Sequence, residues 1–507
     1  EPSAPAEPPL QRQSPTPPRP IGTPARDGPI VLDAVKIKTS MLEQATPEDV
    51  FEHAGGRTVI DQQRIQESGA NALPDVLRKT AGVKVVEATG TGNTDTKLNI
   101  GIRGLDPRLT GRSTVLLDEI PIVVAPYGQP QASLFPVSLF SINKIDVVRG
   151  GAAMRFGPQT VGGVINLQTA PVPEKWEAKL ALQGDQYANL LTGLALGNTF
   201  GPVGIYGEYS FRGGQSFRDN SDQQIHAAIL KAKLQLTEKT VVSSLLHFYD
   251  EDSGLPGGLF PEAFAVNPRQ SLRPNDRFTG TRQGAALKAT HDFTSSLRAE
   301  VLGFYNRSKR DYVLADEPVP LTTNLQQIPR DYDVLGVEPR LGWKLKLGDE
   351  LLVLNTGYRY VFESSHNERI NRYVGTGLVE KNQDDDSRLG AHATYLQADL
   401  WLMEQTLRLS GGTRFESVRI RRVNNLERSV LGTDYNVLLP GASVWFSPLE
   451  ELAVFASYGR SFGSPQYQQL GLARSTRQLT AEIADTGEIG VKLLELKGVT
   501  ASLTAFV

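Results

Sequence analysis

The stretch DVVRGGAAMRFGPQTVGGVINLQT, residues 146–169, sets Arg149 and Arg155 among five glycines, Gly150, Gly151, Gly157, Gly162 and Gly163. Glycine beside cationic side chains is the composition of a phosphate cradle. A nucleotide loop would need G-x-x-x-x-G-K-[ST], or G-x-G-x-x-G opening a helix with an acid about 20 residues on. Neither is present, and Val161, Val164, Ile165 and Leu167 resume an extended run. The glycines need another explanation. GRSFG, Gly459 to Gly463, fits the G-x-S-x-G nucleophile elbow, but SPQYQQLGLARST follows where that elbow needs a helix. The acidic run Asp384 to Asp386 lacks the spacing, glycine and glutamate of a calcium loop and reads as a solvated acidic loop. The six histidines show no paired metal spacing, and cysteine is absent. No catalytic constellation is expected.

The elements that hold these residues follow from composition and periodicity. A net charge of −3 gives no footing for nucleic acid. Apolar content of 39% is low for a soluble chain of 507 residues, while glycine (48) and tyrosine (15) are plentiful. No apolar run is long enough for a membrane-spanning helix, and no signal peptide opens the sequence.

Residues 1–30 are proline-rich without apolar periodicity and are expected to be an extended, disordered tether. A β-type island, IVLDAVKIK, follows at Ile30 to Lys38. It has no hairpin partner nearby, so it is either the first edge strand of the next domain or a strand offered to another chain. Residues 50–170 read as a compact mixed domain. Helical spacing at Ile65, Leu73, Val76 and Leu77 is expected to stop at Gly82. Short strands are expected at VKVVEA, LNIGIRG, STVLLDEIPI and KIDVVRG.

From Trp176 onward the pattern has period two. Trp176, Ala178, Leu180 and Leu182 share one face, and Leu335, Val337, Leu341, Trp343, Leu345 and Leu347 oppose Glu338, Arg340, Lys344 and Lys346. About fifteen such runs have the length of a tilted membrane-crossing strand. A soluble sandwich would alternate in the same way. The connections favour a membrane barrel: tight turns at 200, 237, 292, 347, 447 and 495 alternate with long segments at 250–281, 307–333, 362–391, 421–434 and 461–485. The apolar face then meets lipid and the charged face a lumen. Bacterial barrels close with even strand numbers, so a chain of about fifteen is expected to be C-terminally truncated.

A tail, a β-island, a mixed domain and a large barrel together resemble the TonB-dependent outer-membrane receptors. FEHAGGRTVI, GIRGLDPRLTGRSTVLLDEIPI, APYGQPQASLFPVSL, LPGGL, RPNDRF, GVEPR, GYRY and SFGSPQYQQLG are similar to the ferric dicitrate branch of that family. The resemblance implies an all-β transmembrane barrel, 22-stranded in the family, around an N-terminal α+β plug. The domains would be a periplasmic tail at 1–40, a plug at 41–175 and a barrel at 176–507. It also implies the outer membrane of a Gram-negative bacterium, a monomer in lipid, and TonB energised by ExbB and ExbD as partner. The TonB box would be Val31, Leu32, Asp33, Ala34, Val35, Lys36 and Ile37. Transducing members carry a signalling domain before the box, where only the proline-rich tail stands here. The glycine-rich stretch becomes the end of the plug, its glycines permitting close approach and its arginines pairing with lumen carboxylates.

The implied cargo is a ferric chelate, with ferric citrate first and other ferric carboxylate chelates as variants. Its iron is already ligated, so no cofactor or direct metal ligand is needed. The protein must supply donors for carboxylates, for which arginine is best suited. The resemblance puts Thr91, Arg103 and Gln129 on the plug apex, and Arg310 and Arg330 in the loop between strands seven and eight. A further family arginine falls near Asp385, whose carboxylate would repel citrate, with Arg388 three residues on as a substitute. A passive pore is the rival from another class, disfavoured by the plug-like domain.

Overall fold

The computed structural model describes residues 45–70, 72–86, 98–134, 138–150, 156–471, 479–496 and 499–507. The β-island at 31–37, Thr91 and Arg155 lie outside the described residues.

The first unit is α+β. Helix α1 (Pro47–Glu52) starts on Thr46, which shares a reciprocal capping box with Asp49. The single helix expected to end at Gly82 is two, α2 (Gln62–Glu67) and α3 (Leu73–Arg78). Ser68 and Gly69 (φ 63°) end the first, and Gly82 (φ 70°) lies in the turn beyond the second. Ile65, Leu73, Val76 and Leu77 are all buried, so one apolar face spans the break.

Strands β1 (Arg57–Asp61), β2 (Val83–Val85), β3 (Ile100–Ile102), β4 (Ser113–Leu117), β5 (Ile120–Pro121), β6 (Ile142–Arg149) and β7 (Gly163–Thr169) complete the unit. Five form a sheet in the order β1-β6-β7-β4-β5, and β2 pairs with β3. Strand β1, unread in the sequence, covers an edge of β6. The glycines of the 146–169 stretch do what close packing requires. A Cβ on Gly163 (φ 124°) would lie 2.1 Å from Val148 O, and one on Gly150 (φ 74°) would lie 2.0 Å from Glu488 Oε1.

The second unit is one antiparallel sheet of sixteen strands. Its members are β8 (Glu177–Gly184), β9 (Leu190–Phe200), β10 (Val203–Gln215), β11 (Asp222–Thr237), β12 (Thr240–Gly254), β13 (Arg277–Thr294), β14 (Leu297–Ala315), β15 (Asn324–Gln327), β16 (Arg330–Leu347), β17 (Glu350–Tyr373), β18 (Val379–Leu402), β19 (Leu407–Asn424), β20 (Ser429–Leu449), β21 (Leu452–Gly463), β22 (Glu482–Leu496) and β23 (Val499–Phe506). Fifteen are long, as the periodicity indicates; β15 is a short addition beside β14 and β17.

Burial inverts the rule for a soluble sheet. On β16, Leu335 and Trp343 are 51% and 45% exposed, while Glu338 and Arg340 on the other face are 2% and 5% exposed. An apolar outside and a charged inside suit lipid around a polar lumen. The lumen is filled by the first unit. Wall strands along the whole sheet reach it: Lys231 on β11 pairs with Asp118 at 2.9 Å, Arg359 on β17 donates to Gly157 O at 2.7 Å, and Trp445 on β20 donates to Phe51 O at 3.1 Å.

Two of the expected long loops are mostly strand. β17 and β18 run to a turn at 374–378, and β19 and β20 to one at 425–428. Beyond the lipid the outward face has no reason to be apolar, so charged residues there imitate a loop although period-two pairing continues. Among the described residues, the long connections that remain are 255–276 and 316–329, the second carrying β15.

Candidate functional site

Arg310 and Arg330 are not in a mobile loop. They sit on β14 and β16 as direct cross-strand partners, the last pair of that ladder. Their parity is that of Ser308 and Tyr332, both buried, so both arginines face the lumen. Two like charges directly opposite are unfavourable without a counter-charge. Arg310 is fully packed: Nη1 donates to Gln131 Oε1 at 2.9 Å and to Ser133 Oγ at 2.8 Å, and Nη2 to Tyr332 Oη at 3.2 Å. The expected loop arginine is therefore a strand arginine touching the plug.

The plug side of this contact is the hairpin tip from Ala125 to Ser133. Glu363 on β17 holds it, accepting from Tyr127 N at 2.7 Å, Gly128 N at 2.9 Å and Tyr467 Oη at 3.0 Å. Tyr127 Oη donates in turn to Glu416 at 2.9 Å. Gly128 must be glycine, because a Cβ would lie 2.0 Å from the Tyr467 ring. Gln129 belongs to this tip, bridged through its backbone to Ala125. Among the described residues, Gln129 Nε2 and Arg310 Nε are buried donors without an acceptor. Buried donors are normally satisfied, and an anionic ligand would supply the missing oxygens.

Arg103 is placed elsewhere. Its guanidinium clasps Glu488 on β22, Nη1 to Oε1 at 2.9 Å and Nη2 to Oε2 at 2.8 Å, and it shares no partner with Arg310. Arg149 lies beside it and donates to Ala81 O at 2.7 Å; it makes no carboxylate pair among the described residues. Burial, with Arg103 next, lowers Arg149 to about 10. The anion that Arg103 binds is the wall's own carboxylate.

Arg388 does not reach the lumen. On β18 the inward residues are Asp385, Ser387 and Leu389, all buried, whereas Arg388 has the opposite parity and is exposed outside. The carry-over near Asp385 fails because strand alternation separates positions three apart onto opposite faces. Asp385 itself is neutralised by Arg422 of β19 at 2.7 Å. The sequence reading missed Arg422, Gln131, Ser133 and Tyr332. For Arg422 and Tyr332, parity along the strands was the signal available.

Three further motifs resolve structurally. Ser461 of GRSFG lies within β21, buried, with no elbow. His366, Glu368 and Asp384 could hold a cation by spacing. Lys381 already fills that role, pairing with Glu368 and, at 3.1 Å, with Asp384. At the β4–β5 turn, Asp118 and Glu119 both have positive φ (47° and 73°). Glu119 meets Arg340 at 2.6 Å, and Arg340 also binds Glu300 at 2.8 Å and Glu338 at 3.0 Å. Removing one partner from a buried network of this kind costs roughly 3–5 kcal/mol.

A plug pinned by ion pairs inside an inside-out sheet narrows the family, and comparison decides it. Residues 49–164 match the TonB-dependent Receptor Plug Domain, and residues 232–507 match TonB dependent receptor-like, beta-barrel. The chain belongs to the TonB-dependent receptors. They are outer-membrane proteins of Gram-negative bacteria, transporters and receptors rather than enzymes. The fold is similar to that of the ferric citrate transporter FecA in its unliganded form, with a TM-score of 0.86 and 34% identity over 93% of this chain and 72% of that one. The siderophore receptor PiuA from Acinetobacter baumannii aligns with a TM-score of 0.73 and 16% identity over 90% of this chain and 72% of that one. In sequence, the vitamin B12 transporter BtuB of Vibrio vulnificus (strain CMCP6) is 23% identical over 90% of this chain and 68% of its own length. As a TonB-dependent receptor, the chain is an outer-membrane receptor of the class that works with TonB.

Proposed function

We propose that this receptor imports an anionic ferric chelate, with ferric citrate the best fit, by a TonB-driven rearrangement of the plug. The observation that carries this reading is the lumen-facing pair Arg310 and Arg330 on adjacent strands, the first of them touching the plug tip. A compact polyanion bridging two guanidinium forks would remove their mutual repulsion and satisfy the idle donors of Arg310 and Gln129. A weakly charged corrinoid would not. Similarity to the ferric citrate transporter at 34% identity supports the same choice. Residues 31–37 would serve as the TonB box, ExbB and ExbD would energise TonB, and the receptor would act as a monomer. Thr91 would join the ligand from the plug. No resident cofactor is invoked, because iron enters as cargo within its chelate.

The test is uptake of radioactive iron by cells expressing the intact receptor, supplied as citrate or as other carboxylate chelates, with cobalamin as a separate cargo. Citrate-dependent, TonB-dependent iron uptake is expected. Uptake of cobalamin alone, or iron uptake indifferent to TonB, would contradict the reading.

A further inference from the structure

Outside the lumen, a band of charged residues rings the wall toward its long-loop end. Its position is set by outward aromatic pairs, Tyr209 Oη to His226 Nδ1 and Tyr358 Oη to His392 Nδ1, both 2.7 Å. Aromatic belts of this kind mark the membrane interface. Charged residues next along the strands therefore stand at the level of the lipid headgroups.

Across most of the band, charges are neutralised by partners on adjacent strands. Arg307 and Lys309 of β14 face Asp333 and Asp331 of β16 at 4.0 and 3.7 Å. Arg460 of β21 meets Asp485 of β22 at 2.8 Å, and Arg419 of β19 meets Asp434 of β20 at 3.4 Å. Between β18 and β19 the pattern breaks. Arg388 is the direct cross-strand partner of Arg421, both are exposed, and neither has an ion pair among the described residues. Of the carboxylates beside the pair, Asp386 is engaged by His366 and Asn425, each at 2.9 Å, and Asp434 by Arg419 at 3.4 Å.

Like charges placed directly opposite are destabilising; where β17 and β18 set Glu368 opposite Asp384, Lys381 bridges the two, and the arginine pair has no such bridge among the described residues. The surroundings leave room for a counter-ion. A Cβ on Gly390, between Arg388 and His392, would meet nothing within 4 Å, and the Arg421 side chain lies over Gly432. Arg388 is four residues beyond His392, about 13 Å along the strand and about 10 Å along the membrane normal at a barrel strand's tilt, which puts it at the outer edge of the headgroup layer above the aromatic belt.

We propose that Arg388 and Arg421 form a binding site for the phosphate of an outer-leaflet lipid headgroup. Two guanidinium groups on adjacent strands present parallel donors to one tetrahedral anion, and the open floor at Gly390 admits the headgroup between them and the aromatic belt. The site rests on the outer-membrane setting of the family and is independent of the chelate.

The test is native mass spectrometry of the intact receptor in neutral detergent, titrated with bisphosphorylated lipid A and with the same lipid stripped of phosphate. The parent is expected to bind the phosphorylated form selectively. Arg388→Ala with Arg421→Ala should weaken it by about 10- to 100-fold, from the loss of charged hydrogen bonds. Arg421→Asp, which recreates the opposite-charge pairing of the neighbouring strands, should lose the lipid while keeping the heat-modifiable migration of a folded barrel. Arg307→Ala with Lys309→Ala should leave lipid binding unchanged. Equal binding by the parent, the double alanine variant and Arg421→Asp would overturn the proposal. So would displacement of the lipid by millimolar inorganic phosphate alone, which would make this a free-phosphate site.

Discussion

Arg103 of the plug and Glu488 of the wall form a two-point ion pair, 2.9 and 2.8 Å, that joins residues 385 positions apart in the chain. The Arg103 ring of contacts is completed by Phe506, 4.2 Å from the guanidinium carbon to the ring centre. This is a clasp between plug and barrel. Removing the arginine strands a buried carboxylate, at a cost of roughly 3–5 kcal/mol. Arg103→Ala should therefore raise hydrogen exchange of plug strands β3 and β6 while leaving chelate affinity within about threefold of the parent, less than half the value of one charged hydrogen bond. Unchanged exchange with lost binding would return Arg103 to the ligand site.

Glu363 fixes the plug tip through Tyr127 N, Gly128 N and Tyr467 Oη. Glu363→Ala leaves two backbone donors without their acceptor, each costing roughly 1–3 kcal/mol. Faster exchange at the amides of Tyr127 and Gly128 is expected, with weaker chelate binding because Gln129 and Gln131 share that tip. Protection equal to the parent's would show that the tip is held by something else.

How far these contacts could be read from the sequence depends on their range. The fifteen long strands and the inside-out alternation on Leu335 to Leu347 were legible, because lipid on one face and a lumen on the other impose period two on neighbouring residues. Arg310 and Arg330 were named, but their setting was not: charged residues beyond the bilayer hide the continuing strand. The partners of Arg103, Glu363 and Glu119 were not legible at all. Each is a contact between plug and wall across hundreds of residues, and no local pattern encodes which carboxylate meets which donor. Arg388 was misplaced because similarity carried over a neighbourhood without its parity.

His53 gives the plug a pH dependence. Its Nε2 is buried without a partner, and burial first, then Lys492, Arg57 and Arg408, push the imidazole well below its ordinary 6.5. The docked state therefore holds His53 neutral, while the undocked segment binds a proton below about pH 6.5. Stability from this group is complete above that pH and is lost as pH falls toward the docked value. Protection of residues 46–56, corrected for the intrinsic pH dependence of amide exchange, should fall between about pH 7 and pH 5 in the parent and stay flatter in His53→Gln. The same fall in both would remove His53 as its cause.

Deleting Val31 to Ile37 should abolish uptake and leave chelate binding intact, as expected if this segment serves as a strand donated to TonB. Paired uptake and binding measurements on cells check this. Uptake that survives the deletion would sink the coupling role.

The central claim is that the Arg310–Arg330 pair receives the anionic chelate, and calorimetry of the intact receptor with ferric citrate tests it most directly. Each charged hydrogen bond contributes roughly 1.5–3 kcal/mol, so Arg310→Ala or Arg330→Ala should weaken binding by about 10- to 150-fold. Lysine at either position should restore only part, since charge returns without the bidentate fork. Arg388→Ala should bind as the parent does, because that side chain faces outward. Parent-like affinity in both Arg310→Ala and Arg330→Ala would contradict the account, leaving the fold in place and the ligand site elsewhere.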